Sequence, residues 1–149
     1  MLKGLVGLGP GIDDYKREAA AGKAEAQFAL ARLYESGQRG LPKDYAESAK
    51  WYRKAAEQNH GAAQLNLGVY LAKGMGVERN LVEGLMWILL ARHVLAQHSA
   101  GWLLRDAAIQ EISRTKAQMT EQQITEAQVM LDSSPLYNEL HERHSQKSG

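Results

Sequence analysis

Apolar residues recur at spacings of three and four in two stretches of this chain that lie 37 residues apart. Such spacing places apolar side chains on one face of an α-helix, so each stretch predicts a helix with a single buried stripe. A small residue stands at the same place in both stretches and would let a neighbouring helix approach closely. That residue is Ala31 in the first stretch and Gly68 in the second. The stripes are Ala26, Leu30, Leu33 and Tyr34 in the first stretch, and Ala63, Leu67, Tyr70 and Leu71 in the second.

Glycine follows each of these stretches, at Gly37 and Gly74. Glycine is favoured just after a helix because it adopts the left-handed backbone conformation at little steric cost. Asp44 and Asn80 then precede a second apolar stripe, and a glutamate follows each of them three residues later. This pattern predicts a capping box, in which the cap accepts a first-turn amide and the glutamate reaches back to the amide of the cap. Each stretch therefore begins a pair of antiparallel helices.

A unit repeated every 37 residues or so is typical of a solenoid, in which supersecondary units stack. Residues 15–22 resemble residues 52–59, so the chain enters partway through a second helix. Residues 100–108 begin a third first helix, which continues without a glycine loop to about Lys116. Thr120 and Gln123 then predict a capped closing helix. The expected fold is all-α, a short right-handed α-solenoid of antiparallel helix pairs with a terminal capping helix.

The repeats divide the chain into a flexible leader (1–13), a repeat domain (14–131), and a short helix with a disordered tail (132–149). Within the domain we expect a half unit (14–22), two units (23–59 and 60–97) and a divergent capping unit (98–131). Leu89 and Leu90 stand where the first unit has Arg53 and Lys54. This apolar pair predicts that the second helix of the second unit is covered by the C-terminal tail or by another chain. Leu136, Tyr137 and Leu140 of the tail are candidates for that cover.

Composition narrows the function classes. The 149 residues are 44% hydrophobic and carry a net charge of +1, which is typical of a soluble domain and excludes strong attraction to nucleic acid or anionic lipid. The absence of cysteine excludes disulfides, thiolate metal sites and cysteine nucleophiles. The apolar run at residues 85–91 is too short to cross a bilayer, which takes about 20 residues. We expect a cytoplasmic protein if Met1 is the native start, or a periplasmic one if a signal peptide has been removed.

Candidate chemistry is sparse. The five histidines contain no His-Glu-x-x-His pattern, so no metal site is expected. The glycines at positions 4, 7, 9 and 11 lack the preceding strand and the Gly-Lys-Ser/Thr ending of a phosphate loop. No Gly-x-Ser-x-Gly nucleophile elbow occurs. We therefore expect no catalytic residue and no cofactor, and a hydrolase is the least favoured alternative.

The units resemble the Sel-one-like repeats, a branch of the tetratricopeptide-like helical solenoids. The resemblance rests on Ala-Gln-x-x-Leu-[Ala/Gly], on the glycine loop and on the helix ending at residues 51–56, and it covers roughly residues 14–131. The closing segment at residues 119–128 is similar to that of many bacterial members. The resemblance implies a scaffold or adaptor that holds a partner protein or peptide on its concave surface. Trp51 and Trp87, which recur at one position of each unit, are interpreted as core residues.

Under that geometry, seven residues lie one helical step from the buried stripe and point into the groove. An alternative interpretation is that the apolar members only pack between helices and the charged members form a solvated face. A second hypothesis for function is a self-associating structural subunit, a homo-oligomer, because a short solenoid leaves apolar ends to cover. The seven candidates for partner binding are Phe28, Arg32, Glu35, Leu65, Val69, Lys73 and Trp102.

Overall fold

The computed structural model describes residues 9–147, and within that range it contains eight α-helices and no strand. The predicted all-α fold is confirmed, with α2 packed on α3 and α4 packed on α5 as successive helix pairs. A short 3-10 turn, Ser99–Gly101, leads into α6. The helices are α1 (Ile12–Ala20), α2 (Ala24–Ser36), α3 (Tyr45–Ala56), α4 (Gly61–Lys73), α5 (Leu81–Ala96), α6 (Trp102–Lys116), α7 (Glu121–Asp132) and α8 (Pro135–Lys147).

The entering helix α1 packs on α2 in the way that α3 packs on α4. Gln27 at the start of α2 donates from Nε2 to the carbonyl of Ala19 at 3.2 Å, and Gln64 of α4 donates to the carbonyl of Ala56 at 3.1 Å. Both glutamines are buried. α1 therefore takes the place of a second helix in front of the first pair. It begins within the expected leader, and the first eight residues of that leader lie outside the described residues.

Both first helices end as predicted on a left-handed glycine, with φ 65° at Gly37 and 71° at Gly74. The chain then returns to the helix it has left. The amide of Asp44 donates to the carbonyl of Tyr34 at 2.9 Å, and the amide of Asn80 donates to the carbonyl of Leu71 at 2.8 Å. The loop before Asn80 is one residue shorter than the loop before Asp44, yet both loops close on equivalent carbonyls.

At the start of α3 and α5 only one half of the predicted capping box forms: the cap side chain accepts a first-turn amide. The Asp44 carboxylate accepts the amide of Glu47 at 3.0 Å, and Asn80 repeats this arrangement at the start of α5. The prediction that the glutamate reaches back was wrong, because the carboxylate of Glu47 pairs with Lys50 at 2.6 Å. The amide it was expected to bind is already satisfied by the carbonyl of Tyr34 in the preceding helix.

Close approach of α4 and α5 depends on the small residue at position 68, as predicted. A Cβ at Gly68 would lie 2.5 Å from Ile88 Cγ1 and 2.8 Å from the carbonyl oxygen of Gly84. In the first unit the same place is held by buried Ala31, whose carbonyl accepts the hydroxyl of Ser48 at 2.8 Å. The first pair is therefore joined there by a side-chain hydrogen bond, and the second by direct contact between backbones.

The third unit differs from the first two. α6 runs without interruption to Lys116, and Thr120 and Gln123 form the predicted capping box at the start of α7. However, α6 and α7 do not form a close pair, because both pack against α5 and hardly approach each other. Arg105 stands where the earlier units have Ala31 and Gly68, and a side chain of this size does not permit close helix packing there.

The apolar surface of α5 is covered within the same chain. Leu89 and Leu90 are buried, and α4, α6 and α7 all pack against their helix. Trp87 of the same helix is buried as predicted, whereas Trp51 is only half-buried and the Lys54 ammonium lies 4.6 Å from its ring centre. The cover expected from the C-terminal tail or from another chain is thus supplied by helices of the same chain that pack on α5, namely α4, α6 and α7.

The C-terminal helix α8 also attaches to α5. The ring of Tyr137 lies 5.0 Å from that of His93 and 4.4 Å from that of His141, and Leu140 beside them is buried. The tail therefore packs in cis. Residues 145–147, which were expected to be disordered, continue the helix, and the Ser145 hydroxyl donates to the carbonyl of His141 at 3.2 Å. None of the helices in residues 9–147 is both long and apolar enough to span a membrane.

Candidate partner-binding surface

The first helices of the units, α2, α4 and α6, present one surface that we call the first-helix face. Three of the seven predicted residues occupy a single register position on it, at intervals of 37 residues: Phe28, Leu65 and Trp102. The ring of Phe28 stacks on that of His60 with centres 4.6 Å apart, and Leu65 is buried in the core. Trp102 is 60% exposed. Exposure at this position thus rises from buried Leu65 and half-buried Phe28 to largely exposed Trp102.

Phe28 is covered because a following first helix exists. His60 caps the start of α4, where its Nδ1 accepts the amide of Ala63 at 3.2 Å, and the same ring lies over Phe28. Its Nε2 lies 3.1 Å from the carboxylate of Glu25, so Nε2 carries the proton. In the described part of the chain, α8 packs beside α5 and α7 and does not take the equivalent place next to α6. Trp102 is therefore left open.

Glu35 is held by two tyrosines from the neighbouring helices. Its carboxylate accepts the hydroxyl of Tyr70 at 2.8 Å and the hydroxyl of Tyr52 at 3.1 Å. The hydroxyl of Ser48 lies 3.1 Å from that of Tyr70 and donates to the carbonyl of Ala31. This network ties α2, α3 and α4 together beneath the first-helix face. Glu35, predicted to bind a partner, is thus engaged inside the molecule.

The electrostatics of this network are those of buried neutral hydroxyls beside a carboxylate. Burial, with the nearby charge of Glu35, raises the pKa of Tyr52 well above its ordinary value. Burial also raises the pKa of Tyr70, and the hydrogen bond to Glu35 acts in the same direction. Both hydroxyls therefore stay protonated and donate to Glu35 at neutral pH, which is the arrangement expected of a structural tie.

Arg32 and Lys73 are exposed on the first-helix face, and neither forms an ion pair within residues 9–147. Arg32 lines an open groove of about 350 Å³ between α1 and α2. A second guanidinium, that of Arg39, lies in the same groove over the ring of Tyr15, 5.8 Å from its centre. Val69 lies half-buried against the core. The accessible part of the face therefore combines two free positive charges with an exposed tryptophan.

Sequence reasoning missed two groups of exposed apolar residues. On α6, Leu103 is 64% exposed next to Trp102, and Leu104 and Ile109 are also exposed. On α7, Val129 and Met130 are exposed beside α5. The first group could have been found from the sequence, because Leu103 and Leu104 directly follow a tryptophan in the unit that lacks the glycine loop. The second depends on how α7 packs, which the repeat pattern does not specify.

The residues brought together here include no candidate metal centre. Within the part of the chain that the structure describes, no three histidine or carboxylate side chains are close enough to hold a metal ion. His93, His141 and Tyr137 instead form an aromatic contact between α5 and α8. Burial, the charge of Arg92 and the charge of His141 lower the pKa of His93.

Comparison with known proteins places this arrangement in a family. The sequence model described as "Sel1 repeat" matches residues 24–60 and 61–92. A solved structure of a protective antigen from uropathogenic Escherichia coli, described as displaying an SLR fold, superposes with a TM-score of 0.68 at 28% identity. A Sel1 repeat protein from Oxalobacter formigenes superposes with a TM-score of 0.52 at 39% identity. These superpositions cover 91% and 57% of this chain respectively.

Among curated proteins, chitin synthase regulatory factor 3 from Schizosaccharomyces pombe is 41% identical to this chain over 75 residues, 49% of the chain. The chain spans only a small part of these relatives. It covers 8% of the yeast protein, 26% of the E. coli antigen and 36% of the Oxalobacter protein. The likeness therefore concerns the repeats, not the whole of any relative.

Proposed function

This chain is a Sel1 repeat protein, with consecutive repeats at residues 24–60 and 61–92, and on that premise we propose that it binds a partner protein or peptide on its first-helix face. Sel1 repeats generally mediate protein interaction. The observation that carries the proposal is Trp102, 60% exposed at a position where the earlier repeats have half-buried Phe28 and buried Leu65. Exposed tryptophan and arginine are the side chains that most often dominate binding energy at protein interfaces.

The other predicted residues divide by accessibility. Arg32 and Lys73 supply unpaired charge, and Val69 adds a half-buried apolar contact. Phe28, Leu65 and Glu35 support the face from inside, through the His60 stack, the core and the two tyrosine hydroxyls. We therefore narrow the proposed contact residues to Arg32, Val69, Lys73 and Trp102, and add Leu103. The division of the chain into a half unit, two units and a capping unit is part of the same proposal.

The experiment is affinity capture from the native cell, followed by mass spectrometry, with the wild-type chain and the double variant Arg32→Ala, Trp102→Ala as baits. Because both side chains are exposed, the double variant should keep its circular dichroism spectrum and lose at least about tenfold in capture of the specific partner. A control, Arg143→Ala with Arg17→Ala, removes two exposed side chains on α8 and α1, outside both this face and the groove at Val129. If the control loses as much capture as the test variant, the first-helix face is not the binding surface.

Self-association is the second candidate function, and the exposed apolar residues of α6 favour it. Trp102 and Leu103 together form a surface that a second copy of the chain could cover. Light scattering across a dilution series separates the two functions. A constant monomer mass would contradict self-association, and a mass that falls on dilution and in the Trp102→Ala variant would support it. We propose no catalytic role, and turnover above background in a broad hydrolase screen would overturn that view.

A further inference from the structure

A second surface of the molecule lies at the junction of α5 and α7, which are the second helices of their units. An open groove of about 690 Å³ lies there, and Val129 is 58% exposed and Met130 41% exposed along it. Val82 at the start of α5 forms the opposite wall. This groove is separate from the first-helix face and is not used by the function proposed above.

The groove exists because the third unit lacks a glycine loop. In the second unit that loop lies tightly on the start of α3, where a Cβ at Gly76 would overlap the backbone of Tyr45 and Ala46. Val82 occupies the place in α5 that Ala46 occupies in α3. α6 continues as an unbroken helix to Lys116, so no loop returns to cover Val82. Val82, half-buried against the core, therefore keeps one side open to the groove.

The charged side chain that lines the groove is Glu126. Its helix, α7, also contains Glu121 and Asp132 and no lysine or arginine. None of these carboxylates is in an ion pair within residues 9–147, since Glu126 accepts only the amide of Gln122 at 3.3 Å and Asp132 that of Gln128 at 2.9 Å. An apolar floor with an acidic α7 edge is complementary to a segment with an apolar stripe and a neighbouring cation.

We propose that this groove docks an amphipathic helix of a partner protein, with apolar residues against Val82, Val129 and Met130 and with lysine or arginine beside Glu126. The part of α7 that lines the groove runs from Gln122 to Met130. At the rise per residue of an α-helix this part is about 12 Å long, which matches two turns of a bound helix. Recognition of a helix by an apolar groove uses side chains at spacings of three and four. Glu126 in the lining and the absence of lysine and arginine from α7 oppose contact with an anionic membrane surface, so the occupant is a protein segment.

The probe is a fluorescein-labelled peptide of about 18 residues, with leucine at spacings of three and four and lysine elsewhere, and its counterpart has glutamate in place of lysine. Fluorescence anisotropy should show the lysine peptide binding at least about tenfold more tightly than the glutamate peptide. The affinity should fall as salt rises from about 50 mM to about 300 mM, because exposed charge pairs are screened.

The variants locate the site. Val129→Asp should weaken the lysine peptide at least about tenfold, and Glu126→Gln about threefold. Ile109→Asp is the matched control, since Ile109 is also apolar and 46% exposed but lies on α6, and it should leave the affinity unchanged. Equal binding of both peptides, wild-type affinity in Val129→Asp, or equal loss in Ile109→Asp would overturn the proposal. So would self-association abolished by Val129→Asp, because the occupant would then be a second copy.

Discussion

At the scale of the residue, Glu35 shows how one charged side chain serves the fold from a position that the repeat pattern places on the surface. Its two carboxylate oxygens accept hydroxyls from Tyr52 on α3 and Tyr70 on α4. A buried hydroxyl that loses its acceptor costs about 1 to 3 kcal/mol, which is more than a surface ion pair usually contributes. Glu35 therefore matters more to stability than an exposed carboxylate would.

We expect Glu35→Ala to lower the free energy of unfolding by about 1 to 3 kcal/mol, because both tyrosine hydroxyls lose their acceptor. Glu35→Gln should cost less, since its amide oxygen still accepts one hydroxyl. Urea unfolding followed by circular dichroism measures both. Glu57→Ala, at an exposed position at the end of α3, is the control and should change stability by less than about 0.5 kcal/mol. Equal losses for Glu35→Ala and Glu57→Ala would contradict the structural role of Glu35.

The accuracy of prediction at single residues depended on whether the interaction was local. The glycine ends at positions 37 and 74 and the cap at Asp44 depend on neighbouring backbone, so their residue types predicted them correctly. The glutamate half of the capping box failed because the amide of Asp44 donates instead to Tyr34, ten residues back in another helix. The hydrogen bonds of Glu35 could not be predicted for a related reason, since their donors, Tyr52 and Tyr70, come from two other helices.

At the scale of the helix, the contact of α4 with α5 is limited by backbone atoms. The missing side chain at Gly68 leaves room for the carbonyl of Gly84 and for Ile88. Helix propensity alone would favour alanine at Gly68 by about 1 kcal/mol. The close approach opposes that gain, because the backbone of α5 cannot move away as easily as the end of a flexible side chain.

We expect Gly68→Ala to destabilise the protein by about 1 to 3 kcal/mol net, because overpacking against α5 exceeds the gain in helix propensity. Thermal and urea unfolding measure the change. Ala31→Gly, at the equivalent place in the first unit, should cost only about 1 kcal/mol from propensity. A Gly68→Ala variant that is more stable than the wild type would show that α5 yields and that the helix contact is loose.

The helices themselves were predictable, but their partners in the third unit were not. Periodicity and capping residues specify where α6 and α7 begin and end, because those features are local. That both helices pack on α5 instead of on each other is a tertiary arrangement that the repeat pattern does not specify. The groove at Val129 depends on this packing, so no motif in α7 alone could indicate it.

At the scale of the whole molecule, α8 closes the C-terminal end of the helical array through a contact that can titrate. Leu140 is buried, and the rings of His93, Tyr137 and His141 pack together beside it. Arg92 on the same helix carries a positive charge, and His141 and His144 from α8 are the other titratable side chains at this contact. Protonation of His93 would place a charge in a half-buried site among groups of the same sign.

Because the pKa of His93 is lowered in the folded protein, the direction in which stability changes with pH is defined. The unfolded chain takes up this proton below about pH 6.5, whereas the folded chain resists until a lower pH, so stability should fall as the pH drops below 6.5. Thermal unfolding at several pH values measures the slope of stability against pH. The opening of α8, measured by hydrogen exchange of its amides after correction for the intrinsic exchange rate at each pH, should increase in the same range. His93→Phe keeps a ring beside Tyr137 and takes up no proton, so its slope should be shallower. Identical slopes would exclude His93 as the cause.

Fold class and family could be predicted for the whole array because the apolar stripe, the glycine and the cap residue occur twice at the same spacing. The binding residues could be predicted only in part, since their exposure depends on whether another helix packs beyond each unit. Trp102 is open because no first helix packs beyond it within the described residues, whereas Phe28 in the same register is covered by His60. Register alone cannot distinguish these two cases.

The two loops between paired helices differ by one residue, yet each ends with an amide bonded to an equivalent carbonyl, Tyr34 or Leu71. Insertions and deletions can therefore accumulate between the glycine and the cap without displacing the helix that comes next. For protein engineering, this makes residues 38–43 a natural place to insert an epitope or a fluorophore-labelling tag. In evolution, the same tolerance would let copies of one repeat diverge in length while their helices continue to stack in register.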